Sequence, residues 1–177
     1  MKKIPKIWLL AFVGLLSCKD DEVLLPKATT EGLNTFGCKL NGEVWLPRKG
    51  FGLINNPPII EAYYTKVKEV KSFNMVFLQG VNEKEIRLVT NELLKIGKYQ
   101  FLKNSPFFPE EYLTSYSGNY VDDKYVLFSS ATNELTITKI DTVQGIVSGS
   151  FQVDLKGLKN GEIIKLTEGI FDIKYNQ

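Results

Sequence analysis

From residue 35 onward, apolar and polar positions alternate with a period of two along most of the chain. Phe36, Cys38 and Leu40 alternate with Gly37 and Lys39, and Asn41-Gly42 separates them from Val44, Trp45 and Leu46. Asn-Gly between two short apolar runs predicts a tight hairpin, because both central positions need positive φ. Pro47 ends the second run, since it has no N–H to give a ladder. Residues 59–67 are rich in Ile, Tyr and Thr, and 73–78 are apolar on both alternations. The latter pattern predicts a central strand covered on two faces. Residues 85–90 alternate again, 91–96 predict a single helical turn stopped by Gly97, and 98–102 resume as a strand. Runs at 125–128 and 135–138 follow. Val147, Phe151, Val153 and Leu155 then oppose Ser148, Ser150, Gln152 and Asp154. Asn160-Gly161 marks a second hairpin turn. Across Gly169 the inward phase changes, from Ile164 and Leu166 to Phe171, Ile173 and Tyr175, which predicts a bulge or bend. About ten short strands separated by turns predict an all-β domain, an antiparallel β-sandwich or partly open barrel.

The first residues follow a different pattern. Lys2, Lys3 and Lys6 precede an unbroken apolar run at 7–16. That run is far shorter than the ~20 residues a spanning helix needs, and it fits a signal-peptide core. Leu15-Leu16-Ser17-Cys18 completes it and resembles a bacterial lipobox. The resemblance implies a diacylglyceryl thioether on Cys18, cleavage before it and acylation of the new amine. Two or more acyl chains hold a protein on a bilayer stably, where one holds it marginally. Lys19-Asp20-Asp21-Glu22 resembles the export signal of Bacteroidota-type lipoproteins, which implies the outer face of the outer membrane. The expected organisation is a signal peptide at 1–17, the lipidated Cys and a flexible tether at 18–33, and one β domain at 34–177.

Composition narrows the chemistry. The 177 residues contain no His, with 22 Lys+Arg against 20 Asp+Glu. Without His there is no Ser-His-Asp triad, no Cys-His dyad and no His-ligated zinc. Loss of 1–17 removes three lysines and leaves the charges nearly balanced, so the slight basicity belongs to targeting and gives no reason to expect nucleic acid. With Cys18 acylated, Cys38 has no partner for a disulfide and is expected to be a small buried hydrophobe.

Three segments together resemble an uncharacterised lipoprotein family of Bacteroidota. They are Thr35-Phe36-Gly37-Cys38-Lys39-Leu40-Asn41-Gly42-Glu43-Val44-Trp45, then Gly145-Ile146-Val147-Ser148-Gly149-Ser150-Phe151, then Leu166-Thr167-Glu168-Gly169-Ile170-Phe171-Asp172-Ile173. The likeness covers the two ends of the domain, and 47–140 carry none of it. It implies a lipid-anchored β domain and supplies no catalytic residues or cofactor. The motif residues themselves read as structural: Asn41-Gly42 a turn, Gly149 a close backbone approach or a kink, Asp172 an acceptor of backbone N–H groups.

Segment 103–124 stands apart. It holds Phe107, Phe108, Tyr112, Tyr116 and Tyr120 beside Glu110, Glu111, Asp122 and Asp123, with Pro106, Pro109 and Gly118, and it lacks alternation. Long irregular segments in compact domains are often functional. Exposed Tyr offers an apolar face with a polar tip, suited to sugars or protein contacts. The alternative is that these rings plug one end of the core. The adjacent pairs Glu110-Glu111 and Asp122-Asp123 point to opposite faces of an extended chain, so neither makes the facing carboxylates of a glycosidase. The expectation is a non-catalytic, cofactor-free lipoprotein of the outer membrane surface that binds a glycan or a surface protein. A structural envelope protein with no ligand site and a His-free carboxylate hydrolase are the competing readings.

Overall fold

The computed structural model describes residues 23–49, 59–80, 84–105, 109–118, 124–129 and 133–175. Eleven strands form one sheet: β1 Thr35–Leu40, β2 Glu43–Trp45, β3 Ile60–Val67, β4 Val70–Gln79, β5 Lys84–Asn91, β6 Gly97–Tyr99, β7 Ser115–Ser117, β8 Lys124–Leu127, β9 Glu134–Asp141, β10 Ile146–Gly157 and β11 Ile163–Lys174. The order is β2-β1-β11-β10-β8-β7-β5-β4-β3, with β9 pairing the first half of β10 and β6 pairing β9. Every strand pair is antiparallel. The only helical element among the described residues is a 3₁₀ turn at Glu110–Tyr112.

The sheet curls into a half-barrel, because one face carries large apolar side chains from both of its ends. Phe36 on β1 stacks on Phe77 of β4 at 3.5 Å between centroids and on Phe151 of β10 at 5.6 Å. Tyr175, just past β11, sets its ring edge against Tyr64 of β3 and Phe73 of β4. The ends meet at the backbone too: Arg48, after β2, receives and gives hydrogen bonds beside the end of β4, from its N–H to Leu78 O and from Gly80 N to its own carbonyl. Burying these rings drives the curl, at roughly 1.5–3 kcal/mol for each fully buried large side chain. β4 is buried on both alternations over 72–77, as its sequence predicts.

Asn41 and Gly42 have φ of 50° and 91° and close β1 onto β2 as a tight hairpin. The turn at Asn160-Gly161 is longer than expected. It spans 158–162, and only Gly161 is left-handed, while Asn160 Oδ1 accepts from Glu162 N. Of the bulge or bend expected at Gly169, the structure has a bulge. Phe151 pairs with Gly169 and Val153 with Leu166, so Gln152 faces two residues, and Glu168 takes φ 51°. Residues 91–96 form no helical turn. β5 runs to Asn91, and the Tyr99 hydroxyl ties the following loop by accepting from Leu94 N and Lys95 N and donating to Lys95 O. Those bonds replace the helical ones that the segment's pattern predicted.

Two of the three strand glycines in the resemblance motifs, Gly149 and Gly169, seat aromatic rings. Gly149 pairs with Phe171 and Phe151 with Gly169, so each ring lies over the bare glycine of the neighbouring strand. A Cβ on Gly149 would stand 2.7 Å from Phe171 Cζ and clash with Thr136 O, and one on Gly169 would enter the Phe151 ring. This is aromatic cover for glycine in a sheet.

Within the stretch expected to be tether, residues 25–26 and 29–33 are docked on the sheet. Leu25 and Pro26 lie on Gly37, where a Cβ would be 2.6 Å from Pro26 Cδ. Residues 29–33 close over the outer face of β10 and β11 and bury Asp172 to 1% exposure. Its carboxylate accepts from Thr29 Oγ1 at 2.5 Å, Glu31 N at 3.0 Å, Gly32 N at 2.9 Å, Leu33 N at 3.2 Å and Ser148 Oγ at 2.7 Å. Burial alone would raise the Asp172 pKa. The hydrogen bonds from Thr29, Ser148 and the Gly32 and Leu33 amides outweigh it and bring the pKa down to about 2. Asp172 therefore accepts backbone N–H groups, as its place in the sequence predicts. Cys18 lies outside the described residues.

Candidate binding pocket at Tyr112

β7 is the strand the sequence pattern hides. Ser115–Ser117 pairs with β5 on one side and β8 on the other, inside the segment expected to be irregular. Three residues are too few to show a period when Pro and Gly stand nearby. Thr114 directly precedes the strand. Its hydroxyl accepts from Val89 N at 3.0 Å and donates to Val89 O at 3.1 Å, standing in for a ladder partner. Leu113 is buried beside it. These two anchors fix the 3₁₀ turn that carries Tyr112.

Pairing then decides which rings face out. Tyr116 stands opposite Ile86 and Tyr125, its side chain belongs to the core cluster, and it is 7% exposed. The expectation of Tyr116 as an exposed contact ring is corrected: strand register turns it inward, 5.9 Å from the Tyr125 ring. Tyr112 is 53% exposed. Phe107, Phe108 and Tyr120, the other expected contact residues, lie outside the described residues, as do Asp122 and Asp123.

Alternation places Glu85, Arg87, Ser115, Ser117 and Lys124 on the outer face of β5, β7 and β8. With Tyr112 and the mostly buried Tyr116 they line a pocket of about 170 Å³. Lys124 Nζ sits 5.7 Å from the Tyr112 ring centroid, within cation–π range. Glu85 Oε1 takes both Nε and Nη2 of Arg87 at 2.9 Å, which fixes the guanidinium plane. The pocket thus combines an aromatic face, two cations, one carboxylate and two hydroxyls. Such a set can hold a hydroxyl-rich ring against Tyr112 and an acidic substituent beside Lys124 and Arg87.

Cys38 is fully buried, and burial pushes its thiol up to about 12. It is a core side chain with no thiolate to offer near neutral pH. Among the described residues, no group of three Cys, Asp or Glu side chains is placed to hold a metal ion, and no helix is long and apolar enough to cross a membrane. No family model, curated protein or solved structure matches the chain.

Proposed function

We propose that this chain is an outer-membrane lipoprotein of the Bacteroidota type, anchored through acylated Cys18 and displayed at the cell surface. Its β domain binds a glycan bearing an acidic group and does no chemistry on it. The single observation that carries the binding reading is the outward Tyr112 ring at the mouth of a pocket shared with Arg87, Lys124, Ser115 and Ser117. Stacking on an aromatic face while a cation and hydroxyls fix orientation is an economical way to hold a charged sugar. The lipobox at 15–18 and the acidic stretch after it support the placement.

The test has two arms. Cys18→Ser should abolish labelling by radioactive palmitate and release the protein from membranes. Titration of the full chain with oligogalacturonate should give saturable binding that Tyr112→Ala weakens about tenfold, the worth of a good stacking contact at ~1.4 kcal/mol. Equal affinity in the two proteins sinks the pocket reading. A structural envelope role is the second reading, favoured by the burial of Tyr116, and it predicts no saturable binding at all.

A further inference from the structure

A larger concavity lies on the outer face of β9, β10 and β11, made of residues that look in sequence like an ordinary solvated face. Thr136 stands opposite Ser150, and Glu134 opposite Gln152. On its other side Gln152 faces the bulge that carries Glu168. These side chains point outward because Leu135, Ile137, Phe151 and Val153 between them are buried. The groove has a volume of about 600 Å³, and Leu25, Pro26 and Ala28 form its wall. That wall is the segment seated on Gly37 and held by Asp172.

We propose that this groove is a binding site for a neutral oligosaccharide, distinct from the Tyr112 pocket. Three observations select that ligand class. First, the floor is a sheet face whose strands are paired on both sides, β9 by β6 and β10, β10 by β9 and β11, β11 by β10 and β1. No edge is open there for a peptide to join as a strand, so recognition passes through side chains. Second, those side chains are two hydroxyls, an amide and two carboxylates, which together donate to and accept from sugar hydroxyls. The wall gives apolar surface for the carbon face of a ring. Third, the charges are already matched. Glu134 pairs with Lys98 at 2.8 Å and Glu168 with Lys39 at 2.7 Å. Each carboxylate thus has its countercharge beside it, so the groove offers no unbalanced charge to draw a polyanion or a polycation, and a neutral chain suits it. The volume falls within the usual range for small-ligand sites, roughly 300–1,000 Å³.

The two carboxylates stand two strands apart, roughly 10 Å at the backbone, and facing carboxylates raise the question of hydrolysis. A general acid needs its pKa raised. The hydrogen bond and charge of Lys98 lower that of Glu134, and Glu168 is tied to Lys39. The site is built to hold.

The test is calorimetric titration of the full chain with linear hexasaccharides of β-1,4-glucose, α-1,4-glucose, β-1,4-xylose and N-acetylglucosamine, with oligogalacturonate and hexalysine as charged controls. At least one neutral sugar should bind. The double variant Ser150→Ala, Gln152→Ala should lower its affinity at least tenfold with an unchanged melting curve, since both positions face outward. Because the wall is the anchor-proximal segment, bound sugar should also slow tryptic cleavage after Lys27. Absence of binding by all four neutral sugars overturns the proposal. So does undiminished affinity in the double variant, or competition for the groove by either charged control.

Discussion

At Asp172 the protein itself answers the buried carboxylate with five donors, two hydroxyls and three amides. At Tyr112 the ring, the guanidinium and the ammonium instead open onto a pocket. Both clusters sit on the outer face of the same curled sheet, and both are held by strand register. The difference lies in what closes over them. Residues 29–33 seal the first, and the second lies beside a half-exposed ring. A carboxylate satisfied from within contributes to folding, whereas an exposed ring keeps its apolar face for a ligand. The motif residues fall on the first side. Gly37, Gly149, Gly169 and Asp172 seat a proline, two phenyl rings and a loop, and none lines the Tyr112 pocket.

The contrast breaks most visibly at Asp172. Asp172→Ala leaves the hydroxyls and amides that face it without their acceptor, and we expect a loss of ~3 kcal/mol or more in urea unfolding. Limited trypsin digestion should then cut after Lys27 early. Tyr116→Ala should cost a similar ~3 kcal/mol, because a buried ring leaves a cavity. Tyr112→Ala should stay within about 0.5 kcal/mol of wild type, because its ring is exposed.

Acid gives a smaller and sharper effect. The Asp172 pKa is depressed to about 2, below its ordinary value of about 4 in the unfolded chain. Its contribution is therefore whole above about pH 4 and fades as pH falls from about 4 toward about 2, a loss of ~2 kcal/mol. Urea midpoints should fall over that window in wild type, and Asp172→Asn should flatten the slope. The weakest expected effect is at the surface ion pairs. Lys39→Ala, which breaks the pair with Glu168, should change stability by about 0.5 kcal/mol or less, and salt should erase the difference.

Much of the sheet is legible in the sequence because local rules decide it. Period-two alternation marks β1, β9, β10 and β11, a continuous apolar run marks β4, Asn41-Gly42 marks the hairpin, and the phase change at Gly169 marks the irregularity there. What is hidden depends on partners far along the chain. β7 is defined by β5 and β8 and not by its own three residues, so Tyr116 reads as a loop aromatic until pairing turns it inward. The docking of 25–33 depends on Gly37 and on Asp172, the latter about 140 residues away. The groove exists only because that segment folds back over polar positions that alternation assigns to solvent. Tyr112 is the one expected contact residue that the described structure leaves exposed. Its neighbours Arg87 and Glu85 come from a strand whose outward residues carry no signal of their own.

The most direct measurement compares wild-type, Tyr112→Ala and Asp172→Asn proteins in one oligogalacturonate titration, with a melting curve for each. The account predicts saturable binding by wild type, a tenfold loss with an unchanged melt for Tyr112→Ala, and a lowered melt with retained affinity for Asp172→Asn. Unchanged affinity in Tyr112→Ala, or affinity lost in Asp172→Asn while the fold is intact, would contradict it.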